Sequence, residues 1–306
     1  MIDFRYHIVS LVAVFLALAV GIVIGAFTLA GGVGDSLNHQ ASSLRSEQAA
    51  LRAQVQATGN ALNRADNFAT LADPALVGGV LSGDSIALVL LPGTPNGLVS
   101  ATKSSIATAG GSVATTITLS DSWLQSSSAE HLRSAASTVG VDPAQTDATR
   151  LPGIVLGKAV MGRESAAGKT ALDKLQAESL IDIDDTGTSK PTSLVVLWPG
   201  LPATTDQQTV TGWTGTVSGL GASTTAVVGV SSGPADNDLT NPDPLVTSLR
   251  GSADATATMS VVDDGSRAMG QTALVLATQK ELAGVSGQYG LGADATGPIP
   301  AITAPR

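Results

Sequence analysis

The sequence predicts an α/β protein in which an N-terminal transmembrane helix and a coiled coil precede a layered α/β domain with a mainly parallel sheet. Three observations carry that prediction. Ile8 to Ala30 is a run of 23 residues whose only polar side chains are Ser10 and Thr28. At about 1.5 Å per helical residue it crosses the roughly 30 Å hydrocarbon core of a bilayer. Directly after it, apolar residues recur at alternating spacings of four and three, the mark of a coiled coil. From about Val80 onward, short continuous apolar runs alternate with helix-like stretches, as strands do when crossover helices cover both faces of their sheet.

Taken in order, residues 1–7 form a short flank before the span. Arg5 and the free amino group lie there, and the next basic residue is Arg45. By the positive-inside rule the N-terminus is cytoplasmic and everything after the span is extracytoplasmic. A cleaved signal peptide has an apolar core of about 7–15 residues. The span over 8–30 is longer and reads as a retained signal anchor, although Thr28-Leu29-Ala30 leaves cleavage open as an alternative. Ala13, Ala17, Gly21 and Gly25 fall on one stripe of this helix, where small side chains let two helices approach closely in lipid.

The coil is expected over 35–72. Its core is Leu37, Ala41, Leu44, Gln48, Leu51 and Val55, with Thr58 and Leu62 completing the pattern. In a parallel pair Glu47 at g faces Arg52 at e of the partner chain, and Gln48 at an a site helps fix register. Membrane helix and coil together point to a homodimer, joined through Gly31-Gly32-Val33-Gly34, whose glycines decouple the two packing geometries. The alternative is an amphipathic helix packed on its own C-terminal domain. Asp73-Pro74 is expected to end the helix, because the residue before proline is pushed out of the α region.

The α/β domain is expected over 80–291. Strands are read at Ile86–Leu91, at VATTITL ending at Leu119, and at Ile154–Met161, Leu194–Trp198, Ala226–Val230 and Met259–Val262. Helices are read up to Ala109 and at Lys169–Leu180, Val210–Leu220 and Met269–Leu282. Residues 292–306, with Pro298, Pro300 and Pro305, read as a tail.

Composition and motifs narrow the chemistry. The formal charge of -9 argues against a nucleic-acid partner, and the absence of cysteine removes disulfides and thiolate ligands. GRESAAGKT, Gly162 to Thr170, puts five residues rather than four before Gly-Lys-Thr, so it fails as a phosphate loop. Gly93-Thr94-Pro95-Asn96-Gly97 lacks the dinucleotide fingerprint. No cofactor is therefore expected. The three histidines, His7, His39 and His131, are scattered, and no nucleophile elbow precedes His131. An enzyme is not expected. The acidic clusters Asp182-Ile183-Asp184-Asp185 and Asp263-Asp264-Gly265 stand at strand ends, where α/β proteins bind ligands. Asp263 and Asp264 are the candidates for a hard cation, against a plainer reading of helix capping by Asp264 and solvated loop.

DFRYHIVSLVAVFLALAVGIVIGA, the coil after it, and the late stretch SVVDDGSRAMGQTALVLATQKELAGVSGQYGLG together resemble the actinobacterial copper transporter family MctB and its corynebacterial relative SteB. The resemblance implies a cell-envelope protein with one membrane helix, a coiled coil and an exported α/β domain. It implies a part in copper efflux or homeostasis as a channel or transport component, and an outer-membrane location as the alternative to the inner one. The SteB branch implies a division scaffold that regulates a peptidoglycan hydrolase through a membrane or divisome partner. The residues themselves supply few copper donors: no cysteine, three separated histidines, and Met1, Met161, Met259 and Met269 without clustering.

Overall fold

The computed structural model describes residues 4–184, 187, 189–224, 226–234 and 242–302, with side chains of the first helix described at 6–27 and from 37 onward. The chain divides into two compact units, Met1–Arg64 and Ala65–Arg306. Helix α1, Phe4–Val77, makes up the described part of the first unit and supplies the opening turns of the second. Within it Tyr6–Phe27 is 22 residues long, apolar enough to cross a membrane, and has no buried residue. A fully exposed apolar helix is stable only where lipid or a partner takes the place of water.

The backbone of Gly31 to Gly34 is helical. One expectation about α1 is corrected: the helix passes Pro74 and ends at Val77, with the Gly78 amide donating to the Pro74 carbonyl at 3.1 Å. Proline forfeits one backbone hydrogen bond, and tertiary contacts compensate. Thr272 Oγ1 donates to Asp73 at 2.6 Å, and Val77 is fully buried beneath the sheet.

The second unit is built on β1 (Ser85–Leu90), α2 (Asn96–Thr108), β2 (Ser112–Leu119), α3 (Ala129–Thr138), α4 (Leu151–Met161), α5 (Ala166–Ala177) and β3 (Ile181–Asp184). It continues through β4 (Ser193–Trp198), α6 (Gln207–Ser223), β5 (Val227–Ser231), α7 (Pro244–Arg250), α8 (Ala253–Thr258), β6 (Ser260–Val262), α9 (Ala268–Leu282) and β7 (Gln288–Tyr289). One seven-stranded sheet has the order β3-β2-β1-β4-β5-β6-β7. All neighbours are parallel except β3, which runs antiparallel to β2 along the edge.

Alternation at period two explains the layers. Ile86, Leu88, Leu90, Val195, Leu197, Val228 and Val230 face α2 and α9. Ala87, Val89, Leu194, Val196, Trp198, Val227 and Val261 face a larger layer built from α3 to α8. Both faces of β1, β4 and β5 are buried, so these strands read as nearly continuous apolar runs.

The run Ile154–Met161, expected as a strand, lies in α4. A short apolar run fits a buried helix as well as a buried strand, and here helix packing decides. Gly153 and Gly157 lie against α6, where an added Cβ would overlap the Thr216 carbonyl or the Ser223 side chain. That approach requires the helical spacing of four.

At the switch point between β1 and β4, where folds of this strand order cradle nucleotides, the turn is tied shut. Thr94 Oγ1 lies 2.6 Å from the Leu91 carbonyl and 3.0 Å from that of Leu197. GRESAAGKT likewise joins two helices rather than a strand and a helix, with Ser165 capping α5 by accepting from the Gly168 amide at 3.0 Å.

Candidate functional site

Strand β6 ends in Val262, which brings Asp263 and Asp264 to the C-terminal edge of the sheet. The two neighbours have opposite environments. Asp263 is fully engaged: Arg250 Nη1 donates at 2.9 Å, and the amides of Leu291 and Gly292 donate at 2.8 and 2.9 Å. Arg250 also donates to Asp294 at 2.6 Å and to the Tyr289 carbonyl at 2.7 Å, with its side chain only 4% exposed. One guanidinium thus fastens the end of α7 to β6 and to the loop after β7. This accounts for the Gly-Gln-Tyr-Gly stretch: Gly290 has φ +129°, and a Cβ there would overlap the Asp263 carboxylate.

Asp264 is 7% exposed and its Oδ2 has no hydrogen-bond partner among the described residues. Its Oδ1 lies 3.6 Å from Arg267 Nε, beyond hydrogen-bond range. Burial pushes this carboxyl up to about 7; Arg267 opposes the shift, and the charges of Asp263 and Asp66 add to it. Arg267 is drawn the other way, to Asp66 in α1 at 2.5 Å. Capping of α9 by Asp264, the plainer expectation, is not seen. Arg267 occupies the cap position, and no side chain bonds there.

Beside these residues opens a cavity of about 530 Å³. Pro234, Pro242, Val246, Leu291 and Ala293 give it apolar walls, and Asp243, Asp263, Asp264, Asp294 and Arg250 give it charge. Asp243 accepts from Trp198 Nε1 at 2.9 Å, Ser231 Oγ at 2.7 Å and the Leu245 amide at 2.9 Å. Burial raises its carboxyl, against those three donors. Sequence reasoning missed Asp243, Arg250 and Asp294. Asp243 carried a legible signal as an Asp-Pro helix start, whereas the reach of Arg250 across the fold carried none.

The other candidate positions stay apart. Among the described residues no group of three or more His, Cys, Asp or Glu could hold a metal ion. His131 makes an exposed 3.5 Å contact with Glu178, and Met259 is buried in the core. Asp182 and Asp184 are exposed on β3; Asp185 and Met1 lie outside the described residues. Among the described residues these donors do not come together as a copper site. On α1, Leu37, Leu44, Leu51 and Val55 are exposed, as are Gln48, Ala13, Ala17 and Gly21, while Ala41 and Gly25 are half-exposed.

A bilayer-length apolar helix followed by a mainly parallel α/β sheet fits a membrane-anchored α/β protein. The chain belongs to the family described as "Copper transport outer membrane protein, MctB", which matches residues 1–300. It is 32% identical over 200 residues to the Copper transporter MctB of Mycobacterium bovis and to that of Mycobacterium tuberculosis, covering 61% of this chain and 62% of each relative. It is 30% identical to the Copper transporter MctB of Mycobacterium leprae over 200 residues, 61% of each chain. The match spans about three fifths of the length of those curated relatives. They are named as transporters, and no catalytic family is indicated.

Proposed function

We propose that the chain is a single-pass, membrane-anchored envelope protein acting in copper efflux or homeostasis, with a cytoplasmic N-terminus and an extracytoplasmic α/β domain. The observation that carries this reading is the family match over residues 1–300 together with the exposed apolar helix Tyr6–Phe27. Copper is the cargo in this reading. With no cysteine in the sequence and no clustered donors among the described residues, the chain acts as a component of an assembly rather than as a copper chelator. Pairing of two copies through Ala13, Ala17, Gly21 and Gly25 and through the Leu37–Val55 stripe supplies that assembly. The helical anchor suits the inner membrane, because a lone span satisfies all its backbone groups internally.

The poor donor set favours a second reading, in which the coil positions an envelope or divisome partner, as in a division scaffold. Deletion in the encoding organism separates the two. Raised cellular copper and copper sensitivity at normal cell shape are expected for copper homeostasis. Unchanged copper with altered shape would overturn that reading in favour of the scaffold.

A further inference from the structure

We propose that the turns of α1 just ahead of Pro74 are a releasable latch on α9, closed while Arg267 holds Asp66 and opened when Asp264 takes Arg267 instead. The latch lies wholly within the unit Ala65–Arg306, and it has a pivot and two tethers. Pro74 stands inside the helix, where a missing amide and a bulky ring weaken the backbone ladder and let a helix bend. Beside that pivot Thr272 Oγ1 donates to Asp73 at 2.6 Å, and just past it Val77 is fully buried. About two turns farther out on the same face, Asp66 accepts from Arg267 Nη1 at 2.5 Å. The outer tether governs the swing, because a bond beside a pivot hardly lengthens when the arm turns.

Arg267 is the part that can change hands. Its Nη1 serves Asp66 on α1, while its Nε lies 3.6 Å from Asp264 Oδ1 at the end of β6. Two carboxyl groups from different elements thus face one guanidinium. Each keeps a second oxygen, Asp66 Oδ1 and Asp264 Oδ2, that is buried and meets no donor among the described residues; the side-chain oxygen of Gln271, one turn along α9 from Arg267, is a third. This neighbourhood is short of donors, and a proton on Asp264 supplies one. Protonated, Asp264 leaves the guanidinium to Asp66; deprotonated, it competes for it. The other charged groups described near Asp264 are engaged: Asp263 and Asp294 by Arg250, and Asp243 by Trp198, Ser231 and the Leu245 amide. Opening withdraws Asp66 and lets water reach Asp264, which lowers its affinity for a proton. By linkage the closed latch is favoured below about pH 7, and that advantage is lost as pH rises through it. The proposal is independent of the copper reading.

The chain has no cysteine, so introduced cysteines are its only thiol labelling sites. Double electron–electron resonance on the detergent-solubilised full chain, diluted with unlabelled chain, tests the latch through nitroxides at Thr70→Cys on α1 and Ala283→Cys after α9, both exposed positions. One short distance is expected at pH 5.5, and the ratio of long to short distances should rise at least about tenfold by pH 8.5. A control pair, Ser104→Cys on α2 with Ala283→Cys, should keep one distance throughout. Asp264→Asn should hold the short distance at both pH values, and Arg267→Gln should give the long one at both. A purely structural ion pair would show neither the pH response nor its loss in Asp264→Asn. The same distribution at both pH values, a response that survives in Asp264→Asn, or the short distance alone in Arg267→Gln would overturn the proposal. If Arg267→Gln fails to fold, Asp66→Asn, with the same long distance expected, decides.

Discussion

Asp263 and Asp264 show how far one peptide step changes a carboxylate. Asp263 accepts from a guanidinium and two amides, whereas Asp264 keeps its proton to about 7 because burial outweighs the pull of Arg267. The folded form of Asp264 therefore binds its proton more tightly than the unfolded chain. This term costs nothing well below pH 4, destabilises progressively as pH rises toward 7, and is fully present above it. Asp264→Asn is expected to raise unfolding free energy at pH 8 by on the order of a few kcal/mol and to leave it nearly unchanged at pH 3.5. Urea unfolding of the detergent-solubilised chain at both values checks this; equal effects at the two would contradict the burial argument. Sequence alone placed Asp263 and Asp264 at a strand end, because SVV precedes them directly. It could not rank them, since the ranking depends on Arg250, thirteen residues earlier in the chain and on another helix.

At the scale of elements, apolar runs were legible and their conformation was not always so. IALVLL and SLVVLW become β1 and β4 because both are short apolar runs bounded by the breakers Gly83, Pro92-Gly93, Pro191 and Pro199-Gly200. GIVLGKAVM has similar hydropathy yet forms α4, and the distinguishing signal is its glycine spacing. Gly153 and Gly157 fit α6 because that helix contributes Gly215 and Gly219 to the same contact, where added Cβ atoms would overlap the Thr149 and Arg150 carbonyls. Gly157→Leu is expected to destabilise the domain by more than about 3 kcal/mol, by the overpacking of a close contact, and calorimetry should register a large fall in Tm. A small shift would mean that α4 and α6 move apart freely. On α1, Pro74 misled because only the end of the helix in sequence terms was visible; the anchoring of Asp73 by Thr272 was not. The proposed coil makes its own prediction. Glu47→Arg or Arg52→Glu should weaken self-association in sedimentation, and the double reversal should restore it, since exchanged charges still pair. Unchanged assembly in all three variants would leave the Leu37–Val55 stripe as the face of an unpaired helix.

For the whole molecule, the α/β class and the apolar N-terminal helix were readable because both rest on long-range pattern: a 23-residue run, Ile8 to Ala30, with only Ser10 and Thr28 polar, and strand-sized runs at regular intervals. The cavity was not readable, since its walls come from segments between Pro234 and Asp294 that meet only after folding. The described borders of the sheet are both poor templates for strand addition. β3 closes one border with the outward carboxylates Asp182 and Asp184 on an antiparallel strand, and β7 closes the other with two residues. Unpaired strands invite neighbouring chains to add on, and outward charge and brevity both refuse that addition. At both described borders, growth of one copy onto another strand by strand into fibrils is therefore disfavoured.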